Sequence, residues 1–144
     1  MAEVGTPSKL RRKTTVLFID DDEMLHELIR HYATGTQSIE TTHALTLGEG
    51  LEHLENRKFD LVMVDNRLRP HEDYLFAAGA IRDAGFTGSL VVMSGDTSHP
   101  VFAEFSSFGV QQVVDKSCFN LDTFSQQMQQ LSSLSHSAPS KASG

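Results

Sequence analysis

Four short apolar runs constrain the fold of this chain more than any other feature of its sequence. They are VLFI at 16–19, LVMV at 61–64, LVVM at 90–93 and VV at 113–114, and a weaker fifth candidate is SIETTHA at 38–44. Runs that are apolar at nearly every position and contain many β-branched residues are typical of strands buried on both faces, as in a parallel sheet. The sequence therefore predicts a parallel sheet of five strands.

Segments with helical spacing follow the predicted strands. Apolar residues within 23–34 form one stripe, and similar patterns come after the other runs. Gly35 and Gly85 are predicted to end the first and third helices. The predicted start signals are Thr46 with Glu49 for the second helix, Ser98 with Pro100 for the fourth, and Asn120 for the fifth. Five successive strand–helix units with right-handed crossovers predict an α/β fold, an open doubly wound sheet with helices on both faces.

Length and composition are those of one globular domain. The 144 residues are 39% hydrophobic and 22% charged, which is within the globular range. Residues 1–13 are predicted to be a flexible basic tail, 14–131 the folded domain, and 132–144 a flexible tail rich in Ser and Ala. The single cysteine, Cys118, excludes an internal disulfide and a zinc site of several thiolates, and it fits a reducing, cytoplasmic location.

Charge and hydropathy exclude two classes of partner. The net charge of -7 combines +3 over residues 1–14 with -10 over the rest of the chain. An acidic body repels phosphate backbones, so no nucleic-acid partner is expected for the domain. No apolar run approaches the ~20 residues of a membrane span, and no apolar core follows the basic N-terminus as it would in a secretory signal.

Polar residues at the predicted strand ends are the strongest indication of function. In a doubly wound sheet the ligand site lies beyond the carboxyl ends of the strands. The residues there are Asp20, Asp21, Asp65, Ser94 and Lys116. Crowded carboxylates repel one another, and a proton, a lysine or a bound cation must relieve the repulsion. Hard oxygen ligands suit Mg²⁺, and a carboxylate beside such a cation could attack phosphorus to form an acyl phosphate.

Four segments of the chain resemble the receiver domain of bacterial two-component response regulators. They are VLFIDDDEML (16–25), DLVMVDNRL (60–68), VVMSG (91–95) and VVDKS (113–117), and the resemblance covers about residues 14–131. It implies a flavodoxin-like sheet of strand order 2-1-3-4-5 flanked by five helices. It also implies a phosphorelay, with a histidine kinase or phosphotransfer protein as the phosphoryl donor.

The resemblance implies a Mg²⁺ site built from four residues. Asp21 would bind the ion directly, and Asp20 largely through water. Asp65 and the backbone carbonyl of Arg67 would complete the protein ligands. Asp22, the third acid after the first strand, is assigned instead to the N-cap of the following helix.

Three residues have implied roles toward the phosphoryl group. Asp65 would be the phosphoacceptor, and Ser94 and Lys116 would contact the phosphoryl oxygens. The acyl phosphate would then switch the conformation of the domain and control an output domain or partner protein.

The chain departs from the usual receiver pattern at four positions. Pro70 is the fifth residue after the acceptor rather than the fourth, Tyr74 replaces a usual glycine, and Val113 replaces the aromatic residue of strand five. Ser117 follows the lysine where proline is usual, so the Lys116–Ser117 bond is expected to be trans. These departures leave the site chemistry in place and indicate a different route or surface for signal output.

Two other functions are compatible with the strand-end residues. The first is an atypical receiver-like interaction module that is never phosphorylated. The second is a phosphohydrolase of the haloacid-dehalogenase type, although the chain lacks the further acidic pair of that family and Asp65 would then have no role. A homodimer is left open.

Two groups of side chains receive simpler interpretations. None of the seven histidines has the spacing of a zinc site, and His26 is expected on the exposed side of the first helix. Phe102, Phe105 and Phe108 are expected mainly in the core, with some of them available for a partner surface on the fourth helix.

Overall fold

The computed structural model describes residues 12–134. Its five strands are β1 (Thr14–Ile19), β2 (Ile39–Ala44), β3 (Leu61–Asp65), β4 (Ser89–Ser94) and β5 (Gln112–Asp115). They form one sheet of order β2-β1-β3-β4-β5, in which every pairing is parallel. The predicted α/β, flavodoxin-like fold and its strand order are confirmed.

Four α-helices and three short 3₁₀ helices connect the strands within this range. The α-helices are α1 (Glu23–Thr34), α2 (Leu47–Asn56), α3 (Leu75–Asp83) and α4 (Phe124–Ser132). The 3₁₀ helices are Pro100–Phe102, Phe105–Phe108 and Lys116–Cys118. None of the helices in residues 12–134 is long and apolar enough to cross a membrane. The predicted tails at 1–13 and 132–144 lie almost entirely outside the described residues.

The core consists of two apolar clusters, one on each face of the sheet. Successive residues of a strand point to opposite faces, so Leu17 and Ile19 of β1 pack towards α2 and α3, whereas Val16 and Phe18 pack towards α1 and α4. All four side chains are fully buried. The continuous apolar runs of the sequence are therefore explained by burial on both faces of the central strands.

The segment predicted as a fourth α-helix forms two 3₁₀ helices instead. Glu104 between them has φ -129° and ψ 44°, outside the helical region. Ser98 does not cap this segment, because its N–H and hydroxyl both bind the Asp96 carboxylate, and His99 Nδ1 accepts the Val101 N–H in its place. The helix predicted after Ser98 is therefore corrected to two short turns.

Arg82 anchors the end of this segment to α3. Its Nε and Nη2 donate to the Gly109 carbonyl at 3.1 and 2.8 Å, and Nη1 donates to the carbonyls of Phe86 and Gly88. Gly109 has φ +82°, a conformation that favours glycine. The chain therefore turns sharply at Gly109 before β5, and the Arg82 guanidinium holds this turn through its hydrogen bonds to carbonyl oxygens.

The start signals of the helices are mostly confirmed. Asp22 accepts hydrogen bonds from two N–H groups in the first turn of α1, and Thr46 accepts from Glu49 N–H at the start of α2. The Glu49 carboxylate binds Leu45 N–H, one residue before the N-cap. Asn120 caps a turn ahead of α4, which itself begins only at Phe124.

Asp60 joins the start of β1 to the residues before β3. Its Oδ1 accepts from Arg12 Nη2 and its Oδ2 from Thr15 N–H, each at 2.9 Å. Burial alone would raise the pKa of Asp60, but the hydrogen bonds from Thr15 and Arg12 outweigh it and lower this pKa. The carboxylate therefore stabilises the folded state only while it is ionised.

We expect Asp60→Asn to lower the free energy of unfolding by about 1–2 kcal/mol at neutral pH, because bonds to a charged acceptor are lost. Since the folded-state pKa is depressed, the wild-type advantage is present above about pH 4 and disappears as the pH falls through that lowered pKa. Urea denaturation at a series of pH values measures this difference. Glu55→Gln, at an exposed site on α2, is the control. A loss that stays constant down to acidic pH would contradict the electrostatic origin.

Candidate functional site

The five strand-end residues meet at the carboxyl edge of the sheet. Asp20 and Asp21 directly follow β1, Asp65 ends β3, Ser94 ends β4, and Lys116 directly follows β5. One oxygen from each of Asp20, Asp21 and Asp65 lies within 4.8 Å of the others. The predicted convergence is therefore what the fold produces.

Lys116 forms ion pairs with two buried carboxylates. Its Nζ lies 2.9 Å from Asp20 Oδ2 and 3.0 Å from Asp65 Oδ1. Asp20 is fully buried and Asp65 is 5% exposed. Asp20 Oδ1 accepts the Asp22 N–H at 2.9 Å, whereas Oδ2 accepts no hydrogen bond of good geometry within residues 12–134 and contacts only the ammonium ion.

The charges of the site are incompletely balanced. Burial raises the pKa of Asp20, and the neighbouring Asp65 carboxylate raises it further, against the opposing effect of Lys116. Burial would lower the pKa of Lys116, but the two carboxylates outweigh it and raise this pKa. One ammonium ion thus faces three acids, and the net negative charge favours a second cation.

Asp21 occupies the more open side of the acid cluster. Its side chain is 30% exposed, and its Oδ2 lies 3.2 Å from Arg69 Nε. Arg69 is 87% exposed, so this is a surface ion pair of small net stability. A metal ion approaching Asp21 would compete with this guanidinium.

Ser94 and Asp65 line the same cavity at the carboxyl edge of the sheet. The cavity has a volume of about 320 Å³, and Asp65, Ser94, Lys116 and the exposed Arg67 are among its lining residues. The Ser94 hydroxyl accepts the Asp96 N–H at 3.1 Å and lies 3.2 Å from the Asp96 carbonyl. Its hydroxyl is held within its own loop and can turn into the cavity by rotation about χ1.

The residues at the atypical positions have defined contacts. Tyr74 is fully buried, stacks on Phe102, and donates its hydroxyl to the Val101 carbonyl at 3.2 Å. Its N–H binds Asn66 Oδ1 at 3.0 Å, which ties α3 to the residue after Asp65. The Lys116–Ser117 peptide is trans, as expected.

His26 was not expected to be near the site, and its predicted exposure is wrong. The side chain is only 2% exposed, and its Nε2 lies 2.6 Å from the Asp20 carbonyl oxygen. Its Nδ1 lies 2.6 Å from Nδ1 of His43 on β2. No local signal could have revealed this, because the partner histidine is 17 residues away on a neighbouring element.

The donor set of the acid cluster fits Mg²⁺. All of the clustered ligand atoms are carboxylate oxygens, the hard donors that this ion prefers. Lys116 already pairs with Asp20 Oδ2 and Asp65 Oδ1, so the charge left for a metal ion is that of the cluster as a whole, three acids against one ammonium ion.

Fold and site together define a class of protein, a flavodoxin-like domain with an acid cluster and a lysine at the carboxyl edge of its sheet. Residues 16–129 match the family of response regulator receiver domains, and the chain belongs to that family. This is a signalling family of two-component systems and not a class of conventional enzymes, so the phosphohydrolase alternative has no support. No curated protein matches the sequence.

Solved structures share the fold at low sequence identity. The chain is similar to the receiver domain of Francisella response regulator 1452, with a TM-score of 0.69, 20% identity, and coverage of 83% of this chain and 97% of that one. It is also similar to chemotaxis response regulator CheY4 of Vibrio cholerae, with a TM-score of 0.68, 20% identity, and coverage of 83% of this chain and 98% of that one. A third similar structure is the signal receiver domain of an HD domain-containing protein from Pseudomonas fluorescens Pf-5. Its TM-score is 0.72 at 17% identity, with coverage of 90% of this chain and 93% of that one.

We expect Lys116→Met to lower the free energy of unfolding by about 2–3 kcal/mol at neutral pH, because two buried carboxylates lose their counter-charge. Without the ammonium ion the pKa of Asp20 rises further. A raised carboxyl pKa favours the protonated folded state as pH falls, so the deficit shrinks as the pH is lowered from neutral. Thermal and urea denaturation at a series of falling pH values test this.

The control is Lys58→Met at an exposed lysine, which should leave stability nearly unchanged. Adding Asp20→Asn to Lys116→Met should restore part of the loss. A deficit that does not respond to pH or to this second substitution would show that Lys116 stabilises the fold by packing alone.

Proposed function

We propose that this receiver domain accepts a phosphoryl group on Asp65 from a phosphohistidine of a kinase or phosphotransfer protein. The main support is the position of Lys116, whose ammonium ion touches both Asp20 and Asp65 at the floor of the site. A lysine that is ion-paired with two buried acids can also pair with a phosphoryl group that becomes attached to either of them. A never-phosphorylated module would need these ion pairs only for stability, whereas the open cavity beside them leaves room for a phosphoryl group.

Asp20, Asp21, Asp65 and the backbone carbonyl of Arg67 would hold Mg²⁺. When bound, the ion would supply positive charge against the phosphoryl oxygens. Of these residues, Asp21 would have to change partner, since its carboxylate pairs with the exposed Arg69 in the structure. Asp20 is fixed more firmly, through Asp22 N–H and Lys116.

The transfer itself is an in-line displacement at phosphorus. One carboxylate oxygen of Asp65 forms the new O–P bond while the P–N bond of the phosphohistidine breaks, and the electron pair of that bond stays on the imidazole nitrogen. The Lys116 ammonium ion pairs with one oxygen of the transferred phosphoryl group. The Ser94 hydroxyl leaves the Asp96 carbonyl and donates to a second phosphoryl oxygen. These groups stabilise the developing charge by position alone.

Phosphorylation would then bias the conformation of the domain. Ser94 is drawn towards Asp65, and the Asp96 loop that leads into the segment 100–108 loses its hydroxyl contact. The control of an output domain or partner protein would follow from that change. A cytoplasmic location, where such donors act, is part of the proposal.

We expect a small phosphodonor such as acetyl phosphate with Mg²⁺ to add one phosphoryl group to the wild-type chain, and none to Asp65→Asn. Intact-mass spectrometry followed by borohydride trapping and peptide mapping locates the acyl phosphate. Asp22→Asn is the matched control, because asparagine still caps α1 and removes a neighbouring acid that is outside the site. A folded wild type that stays unmodified would favour the interaction module.

We expect Arg69→Ala to strengthen Mg²⁺ binding about two- to fivefold, because the competing surface ion pair contributes at most about 1 kcal/mol. Asp21→Asn should weaken binding at least about tenfold, since a charged ligand is lost. Calorimetric titration of the metal measures both. Equal affinities for Asp21→Asn and the wild type would remove Asp21 from the ligand set.

A further inference from the structure

We propose that His26 is a positioning residue for the metal-binding acids, acting through the peptide that joins Asp20 to Asp21. His43 contacts the other nitrogen of its ring, and His26 fixes the orientation of that peptide and hence of the two carboxylates. The inference rests on the proposed function, because its consequence is the affinity of the site for Mg²⁺.

Three consecutive hydrogen bonds lead from the surface of β2 to the end of β1. Thr41 Oγ1 lies 3.0 Å from His43 Nε2, the two Nδ1 atoms of His43 and His26 are 2.6 Å apart, and His26 Nε2 lies 2.6 Å from the Asp20 carbonyl oxygen. The ring of Phe18 stacks on His43 with centroids 5.6 Å apart. Both imidazoles are thereby held in place by packing and by polar contacts.

The chemistry of these groups fixes the direction of the bond to the peptide between the two acids. A carbonyl oxygen only accepts, so His26 Nε2 carries a hydrogen and donates it to the Asp20 carbonyl. Burial, with the charges of His26 and Arg30, lowers the pKa of His43 to about 3. His43 is therefore a neutral ring with one donor and one acceptor nitrogen, which contact Thr41 and His26.

The Asp20 carbonyl, in the peptide between the two acids, is bound by a side chain. The pairing with β2 ends where Asp20 N–H donates to the Ala44 carbonyl at 3.1 Å. Beyond it the chain leaves the strand, and His26 takes the carbonyl of the Asp20–Asp21 peptide. Rotation of this peptide would move the Asp21 carboxylate relative to Asp20. Ligands preset in this way bind a metal ion more tightly than ligands that must be ordered on binding.

Two substitutions at His26 separate positioning from packing. His26→Leu fills the buried space but offers no donor, and we expect it to weaken Mg²⁺ binding about tenfold, the equivalent of one net hydrogen bond. His26→Gln places a carboxamide N–H where Nε2 was and should restore most of the affinity. His31→Leu makes the same change at an exposed position of α1 and should have no effect. Titrations are done on the full chain, well below the melting temperature of each variant.

The outcomes distinguish this inference from the function on which it rests. A wild type that binds no Mg²⁺ refutes the proposed function and the inference with it. A wild type that binds Mg²⁺, together with a folded His26→Leu of equal affinity, refutes the inference alone, and so does a His26→Gln as weak as His26→Leu.

Ring ¹⁵N NMR of the wild type is an independent test that needs neither metal nor variants. We expect a hydrogen on His26 Nε2, with a coupling across the hydrogen bond between the two Nδ1 atoms. A His26 ring protonated on Nδ1 alone would overturn the inference, even if His26→Leu failed to fold.

Discussion

The ammonium ion of Lys116 is the contact on which the whole site depends. Lys116 directly follows β5, which is an edge strand of the sheet. Its partners are Asp20, which follows β1, and Asp65, the last residue of β3, so β4 separates β5 from the strands of both acids. The reach is possible because the pairing of Ser94 with Asp115 brings the end of β5 level with the end of β4. The ion pair is thus a consequence of strand order and register, and it places the ammonium ion against Asp20 and Asp65 beside the cavity.

The acid cluster costs stability that the rest of the domain must supply. The raised pKa of Asp20 means that folding disfavours its charged form. Two apolar clusters, one on each side of a sheet whose central strands are fully buried, offset this cost. The fold can therefore tolerate an electrostatic arrangement that is unfavourable in isolation and suited to binding cations and phosphoryl groups.

The features that the sequence could predict are those encoded by neighbouring residues. Strand runs, the Asp22 cap and the strand-end acids depend on local pattern and on the general rule that ligand sites lie at carboxyl edges. The fourth helix was mispredicted because Phe102, Phe105 and Phe108 are spaced by three, which a 3₁₀ turn satisfies as well as an α-helix does. His26 was missed because the stripe that predicted α1 assigned burial by hydrophobicity, whereas Leu28 is 43% exposed and His26 is buried by its contact with His43.

The atypical residues show how the same architecture accommodates a changed sequence. Tyr74 replaces a small residue without straining the backbone, because its ring fills the space above Phe102 and its hydroxyl finds the Val101 carbonyl. The same residue binds Asn66 through its N–H, so the chain just after Asp65 is tied to the segment 100–108 by one side chain and one backbone group. Val113 on β5 stands where an aromatic ring is usual, and the Tyr74 side chain packs against Val101 and Phe102 of the β4–β5 connection. A glycine at position 74 would make none of these ring contacts and would keep only the backbone bond to Asn66.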